Sequence, residues 1–465
     1  MLSIMKIRNS GSKVVFLVNV PTTKAIYKED RCQNDANDLV AKFSRPPISL
    51  TLLGGIVEAA GYKPVILDCP AYKISFYDFK DILKEKTPQY IIINASVQTM
   101  VEDLLSLKIA KQMGSKTIIF GYYATIEGPN ILQKYDFVDY VITKEPEETL
   151  LELLEGKELS RIKGLMFKNL GNKEVIINEE RPFIENLDSL PRASHHLLDL
   201  NKYRNPLNGE RFLVVQVSRG CPFKCKFCLS TLMNGEKFRT RSVSNVIDEI
   251  EDVVENLHVK RFFLRADTFT ANKKWVRRFC IEILQRNLDI EWYTNTRIDT
   301  LDIELLPKMR DSGCTLFSIG IESGLPSHQK KLGKNLNLKQ VKYVLQKIKQ
   351  VGIISVVYFL MGTPFDTEES MIANINFSKQ IDATFVEFTP FVDFQGINLH
   401  ENKQVPKVSE KLVKKYAKIG KLQFYGQPSK IFEILWFMEQ SIIKFPWRIF
   451  HLIKNLLNYA IRVLN

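Results

Sequence analysis

The chain has 465 residues, 45% hydrophobic and 25% charged, the make-up of a globular protein, which excludes a disordered one. That length exceeds one ordinary core and predicts two or three domains. The net charge of +13 is uneven: 12 Lys plus Arg against 4 Asp plus Glu give +8 from Glu401 to Asn465, leaving +5 on the other 400 residues. A basic tail, rather than a basic protein, calls for a local explanation.

In chain order, Val14–Val20 reads as a buried strand. A helix follows from Leu50 to Ala60, which Gly61 is placed to end. Strands at Pro64–Asp68, Tyr90–Asn94, Thr117–Phe120 and Tyr140–Ile142 alternate with helices at Phe76–Lys86, Thr99–Met113 and Pro146–Leu154. Short apolar strands separated by helices predict a doubly wound, Rossmann-like parallel sheet over residues 1–160. Gly164–Phe167 and Glu174–Ile177, joined by Asn169–Asn172, read as a hairpin. A polar, Pro-bearing stretch from Arg181 to Asn205 completes a hairpin-and-linker segment over 161–205. Alternation restarts at Phe212–Val217 and continues through Arg261–Leu264, Ile290–Thr294, Leu316–Gly320, Ile354–Leu360 and Phe385–Phe388. Six such strands with helices between them predict a (β/α)6 partial barrel over 206–400, with chemistry at the carboxyl ends. The rest, 401–465, reads as a helical basic tail.

Cys221, Cys225 and Cys228 lie within eight residues, directly after the first barrel strand. Three thiolates on one loop can hold three corners of a [4Fe–4S] cube and leave the fourth iron open to a small molecule. The alternative is a structural zinc site, for which a fourth ligand is not evident. Cys280 and Cys314 stand alone in apolar surroundings and read as buried small hydrophobes. His195 and His196 sit in the linker, where a solvated or structural role is expected. Seven Cys without a disulfide pattern, no signal-peptide pattern and no ~18-residue apolar run predict a cytoplasmic protein.

The C-x3-C-x2-C spacing with Phe227 before the last Cys resembles the signature of radical S-adenosylmethionine (SAM) enzymes, and the resemblance extends across about 206–400. It implies that Cys221, Cys225 and Cys228 ligate the cluster and that Phe227 touches the SAM adenine. Asp267, in Arg265–Thr268, matches loosely the polar residues near the SAM amino group. Arg297 matches the polar-Arg-Asp end of the third strand. Gly320, Glu322 and Ser323 fall in the run that contacts ribose and carboxylate, and Gly362 in the turn beside the adenine. Taken singly, Phe227 is also plain packing, Arg297 and Glu322 an ion pair across strand ends, and Gly320, Gly324 and Gly362 turn glycines. Their order after successive strands joins them. The implied chemistry is one-electron cleavage of SAM bound at the open iron, giving a 5′-deoxyadenosyl radical that abstracts hydrogen from an unactivated carbon. A reduced ferredoxin or flavodoxin is implied as electron donor.

Arg45-Pro46-Pro47-Ile48-Ser49-Leu50, Gly61–Val65 and Asp68 resemble the opening of cobalamin-binding domains fused to radical SAM barrels, as in C-methylases and anaerobic magnesium-protoporphyrin ester cyclases. The resemblance places Ser96, Gly121 and Glu145–Thr149 where loops meet the corrin, and implies methyl transfer or oxidative cyclisation. Two departures stand out. No His precedes His195, so a bound cobalt would lack a His ligand from this domain. Tyr122 and Lys144 occupy positions that are glycine in the family, where bulk would crowd a flat macrocycle. A radical SAM enzyme that uses this domain only for docking therefore stays open. In the tail, the polar positions Arg448, His451, Lys454, Asn455, Asn458 and Arg462 alternate at helical period with apolar ones. Such a helix either packs on the barrel with a solvated basic face or lies on an anionic membrane, which would suit a small, lipid-like substrate. No RNA-reading motif accompanies the charge, so no nucleic-acid partner is expected.

Overall fold

The computed structural model describes residues 13–24, 26–29, 44–169, 171–205, 209–394, 399 and 408–433. The readings made for the tail beyond 433, including the helical period from Arg448 to Arg462, lie outside the described residues.

The first sheet holds β1 (Val14–Asn19), β2 (Lys63–Asp68), β3 (Tyr90–Asn94), β4 (Lys116–Phe120), β5 (Tyr140–Ile142), β6 (Leu165–Lys168) and β7 (Val175–Ile177), in the order β2-β1-β3-β4-β5-β6-β7. The first five strands are parallel, and β1 from Val15 to Val18 and all of β3 are buried between helical layers, which is why they read as apolar runs. The expected hairpin is β6–β7. It does not stand apart in a linker segment but extends the first sheet antiparallel from β5, with Tyr140 opposite Phe167. The chain leaves β1 on both sides, to β2 and to β3, so the switch point and its crevice lie at the carboxyl ends of β1 and β3.

β8 (Leu213–Gln216) opens the second unit and runs into β9 (Ser218–Arg219), which pairs antiparallel with β10 (Arg239–Thr240) in a two-stranded ribbon. β11 (Arg261–Arg265), β12 (Glu291–Thr296), β13 (Cys314–Glu322), β14 (Ile354–Met361) and β15 (Phe385–Pro390) follow. The sheet runs β15-β14-β13-β12-β11-β8, all parallel and in sequence order, so it is an open six-stranded half-barrel with β8 and β15 at its edges. The helices between these strands are locally specified. Ser242 and Asn272 cap the helices Val243–Leu257 and Lys273–Gln285, Asn337 caps Leu338–Gln350, and Thr367 forms a capping box on Glu368–Ser378. The helix Glu410–Tyr425 continues the fold by packing Val413, Tyr416, Ala417 and Phe424 inward, and Tyr425 Oη donates to Val386 O.

One apolar core joins the two units. The helix Ile48–Ala59 carries Leu50, Leu53, Ile56 and Val57 into a cluster shared with Phe212, Val214 and Val217. Each fully buried Leu or Ile contributes roughly 1.5–3 kcal/mol, so this seam is not a loose linker contact. The stretch 181–205 is packed rather than free. Ser194 N donates to Thr51 O, Tyr203 Oη donates to Asp68 at 2.9 Å, and His195 Nε2 lies 2.8 Å from Glu249 with both side chains buried. His195 is thus structural, while His196 stays largely exposed against Glu58. Cys280 and Cys314 are fully buried, as expected of core thiols.

Candidate functional site: a cysteine-lined cavity and the cleft beside it

The ribbon β9–β10 sets Arg219 directly opposite Arg239, a like-charge pairing that is unfavourable alone. The first unit answers it with two buried carboxylates. Glu147 takes Arg219 at 2.5 and 3.2 Å, and Glu145 takes Arg239 at 2.8 and 3.0 Å while also accepting from Ile184 N. Burial opposes the charge on Arg219, but Glu147 and Glu145 outweigh it and hold its pKa above the ordinary guanidinium value. The next residue, Gly220, has φ +83°, and a Cβ there would lie 2.1 Å from Lys237 O, so only glycine lets the chain turn from the ribbon into the cysteine loop.

Cys221, Cys225 and Cys228 follow, the first buried and the others half-buried. Cys221 Sγ is 3.5 Å from Thr268 Oγ1, Cys225 Sγ accepts from Arg297 Nη1 at 3.1 Å, and Cys228 Sγ accepts from Ser230 N at 3.5 Å. All three line one cavity with Phe227, Arg297, Gly320, Glu322 and Lys334, and its volume is about 1210 Å³ including its open mouth. Among the described residues, no group of three or more His, Cys, Asp or Glu side chains is arranged to hold a single metal ion. Three thiols spread along a loop suit a cube, where each sulfur takes its own iron.

The strand ends supply the remaining groups. Arg297, after β12, is pinned by Asp299 at 3.0 and 2.8 Å, donates to Lys334 O, and lies 3.9 Å above the Phe223 ring. Burial again opposes its charge, while Asp299 and the sulfurs of Cys225 and Cys221 raise its pKa. Arg297 and Glu322 do not pair with each other. Glu322 Oε1 instead meets Lys334 Nζ at 2.8 Å, both side chains buried. Glu322 sits at φ +68°, beside a register shift in β13, a left-handed conformation rare for a non-glycine residue. A Cβ on Gly320 would lie 2.1 Å from Glu322 Oε1 and 2.8 Å from Lys334 Nζ, so that glycine makes room for the pair. Phe227 is 6% exposed and packs with Leu332 and Leu360, with Lys334 Nζ 5.9 Å from its ring centroid.

Other expected positions lie elsewhere. Asp267 does not line the cysteine cavity: its carboxylate accepts from Gly220 N at 2.8 Å, Asn234 Nδ2 at 3.0 Å and the Ser230 hydroxyl, which clamps both ends of the cysteine loop. Ser323 is 2% exposed and bonds Asn374 Oδ1, and Gly362 packs on Val413, so both shape the wall from behind. Ser96 is fully buried, tied to Thr99 and Asp103, and does not reach the crevice. Thr268, the last residue of the run Arg265–Thr268 read near the SAM amino group, lines the cavity instead, and sequence reasoning missed Phe223, Lys334, Tyr27 and Arg45 as cavity residues. Lys334 follows the turn at Gly333 rather than a strand, and nothing in its spacing marks it.

A second cleft opens beyond the carboxyl ends of β3 and β4, between the first unit and the barrel. It is lined by Asn94, Gly121, Tyr122, Lys144, Glu147 and Arg219 among others. The two side chains expected to crowd a flat ring both line this cleft. Tyr122 folds against Phe394, 5.3 Å between ring centroids, and Lys144 directs its amine to Glu180 and lies 5.1 Å from the Phe183 ring. Arg265 stands in the wall between the cleft and the cysteine cavity and donates to Glu29 O.

Comparison with known proteins agrees with this geometry. Residues 215–377 match the model of the Radical SAM superfamily. An uncharacterized methyltransferase of Pyrococcus horikoshii is 31% identical over 393 residues, covering 83% of this chain and 82% of that protein. The anaerobic magnesium-protoporphyrin IX monomethyl ester cyclase of Rubrivivax gelatinosus is 26% identical over 361 residues, 74% of this chain and 64% of that one. The structure of the radical SAM methyltransferase TsrM from Kitasatospora setae, with cobalamin and a [4Fe–4S] cluster bound, superposes with a TM-score of 0.63 at 16% identity, covering 82% of this chain and 72% of that one. The fold and the family thus coincide, and the chain belongs to the radical SAM superfamily, an enzyme whose cofactors are a [4Fe–4S] cluster and SAM.

Proposed function

We propose that Cys221, Cys225 and Cys228 hold the cluster, that Phe227, Arg297, Gly320, Glu322 and Lys334 line the SAM site, and that the enzyme C-methylates or oxidatively cyclises a small molecule with an apolar or lipid-like body. The observation that carries this reading is convergence: groups from four separate segments meet in one cavity at the carboxyl ends of six parallel strands. The residues present suit the cofactors. Three thiols face a cavity with a cation at one sulfur, a buried aromatic, and a Glu–Lys pair for polar ends of a nucleoside–amino acid conjugate.

We place cobalamin in the cleft between the units, against Gly121 and beside Tyr122, with no His ligand from the described first unit. When bound, the reduced cluster supplies the electron that cleaves SAM, and a corrin supplies a methyl carrier. The chain's own part is positional. Asp267 fixes the cysteine loop, Arg297 offsets negative charge at Cys225, and the barrel walls exclude water from a reactive carbon centre. The division into 1–160, 161–205, 206–400 and 401–465 belongs to the same proposal, as does a reduced ferredoxin or flavodoxin as donor. Among the described residues no helix is long and apolar enough to cross a membrane, and contact with a membrane surface is proposed from the basic tail alone. Anaerobically reconstituted protein is expected to form 5′-deoxyadenosine from SAM on reduction, and Cys225→Ala is expected not to. Turnover of the variant at the wild-type rate sinks the assignment. Cobalt content after expression with cobalamin supplied separates this reading from an enzyme that uses its first unit only for docking.

A further inference from the structure

The cysteine loop is tied to the turn that follows the short helix Pro326–Lys331. Lys226 N donates to Leu332 O at 3.0 Å, and a Cβ on Gly333 would lie 2.8 Å from Lys224 O. The turn divides its lysines. Lys334 is buried in the cavity against Glu322, whereas Lys330 and Lys331 are exposed, and neither meets a carboxylate among the described residues. Beside them lies a small apolar group of Phe227, Leu332 and Leu360, against which Phe365, Cys225 and Cys228 pack half-buried. Lys331 Nζ stands 5.0 Å from the Phe365 ring centroid. Lys224, also exposed, extends the basic rim, and its contact with Glu236 at 3.1 Å is a solvated pair that offsets little. Two of the three cysteines thus belong to an apolar group whose Phe365 is part-exposed beneath a cationic rim.

We infer that this rim is the docking face for the electron donor, a small acidic one-electron carrier protein that seats its negative surface on Lys330, Lys331 and Lys224 around Phe365. The inference rests on the reading of the three cysteines as cluster ligands and adds where the electron enters. Electron tunnelling falls off steeply with distance, and through Phe365 this face is in packing contact with the group that holds Cys225 and Cys228. Lysines alone would suit any anion; their place beside two cluster cysteines selects a redox protein. One electron crosses: the carrier is oxidised by one, the iron–sulfur site is reduced by one, and no bond forms or breaks. A transient encounter of this kind needs only a small interface, under about 1,200 Å². Aromatic side chains favour the core of such a contact, and charges at its rim speed encounter more than they tighten the complex.

The test uses the full-length, anaerobically reconstituted protein and two acidic probes, a flavodoxin and a plant-type ferredoxin. At least one is expected to bind saturably, with an affinity that falls as salt rises. Lys330→Glu with Lys331→Glu is expected to weaken that binding about tenfold or more, because like charges then face each other. The matched reversal Lys80→Glu with Lys84→Glu, at exposed positions of the helix Phe76–Lys86, should leave it within about twofold. Carbodiimide cross-linking of the wild-type complex should join carrier carboxylates to a peptide containing Lys330 or Lys331, a readout that needs no variant to fold. Saturable binding of neither probe, equal affinity of the two double variants, or cross-links confined to other lysines overturns the inference. Formation of 5′-deoxyadenosine from SAM with dithionite as reductant, which needs no docked protein, reports separately on the catalytic assignment. Its absence beside a salt-sensitive complex at Lys330 and Lys331 sinks the chemistry and keeps the docking face, and its presence beside no complex does the reverse.

Discussion

Arg297 donates to the sulfur of Cys225 at 3.1 Å while its other edge is held two-pronged by Asp299. A fixed cation at a thiolate stabilises the more negative, reduced state of a cluster. Replacing Arg297 by Met should therefore make the cluster harder to reduce, by on the order of 50 mV if the bond contributes about 1.4 kcal/mol between redox states. A redox titration followed by electron paramagnetic resonance measures this, and an unchanged potential in a fully loaded variant would contradict the assigned role.

Removing Glu147 leaves Arg219 buried with much of its compensation gone. Breaking a buried pair from one side costs about 3–5 kcal/mol. Glu147→Ala is expected to lower the apparent melting temperature and the yield of cluster-loaded protein together, because Arg219 stands two residues before Cys221. The double variant Glu147→Leu with Arg219→Met should recover much of the melting temperature, and a double variant no more stable than the single one would argue against the pair.

Gly320→Ala drives a methyl group into the Glu322–Lys334 pair. Affinity for SAM, measured by equilibrium dialysis of the loaded protein, should fall roughly tenfold, the equivalent of about 1.4 kcal/mol, with iron content unchanged. Loss of iron alongside SAM would show that the pair supports the loop instead of the nucleotide.

Asp68, at the end of β2, is buried against Tyr203 and Asn19, and burial pushes its pKa from 3.8 up to about 6. The sign follows directly. A carboxyl raised in the folded state favours folding most when protonated, so its contribution is full below about pH 4 and is lost as pH rises through about 6. The shift corresponds to on the order of 2–3 kcal/mol. Asp68→Asn should flatten the fall in melting temperature between pH 5 and 7 and raise it at pH 7, helped by the buried Asn19 Oδ1, which lacks a hydrogen-bond donor. Glu249 works the opposite way below about pH 4.5. Burial pushes it up, but Arg241 and His195 outweigh burial and hold it at about 2, which is why the window starts at pH 5. An unaltered pH profile in Asp68→Asn would refute the assignment.

Legibility in the sequence followed the physics. Strands buried on both faces announce themselves as apolar runs, and the helix Phe76–Lys86 carries its own stop and start signals, so the parallel strands of both sheets could be read directly. The gathering of three cysteines on one loop at a strand end was equally plain, because spacing along the chain is a local property. What escaped was long-range. Asp267 was expected at SAM but serves the loop, because three donors from 220, 230 and 234 reach it in space. Ser96 was expected at a corrin but is turned inward by Asp103 and Thr99. Arg45 was read as part of an opening motif, and its entry into the barrel depends on the packing of two units that no periodicity encodes.

The carboxylates of Glu145 and Glu147 travel with one sheet and the arginines they neutralise with the other. Such a protein is not a pair of interchangeable cassettes. A barrel expressed from residue 206 onward would expose two orphaned guanidiniums beside its first cysteine, and a graft of this barrel onto a foreign amino-terminal unit would need the two acids transplanted with it.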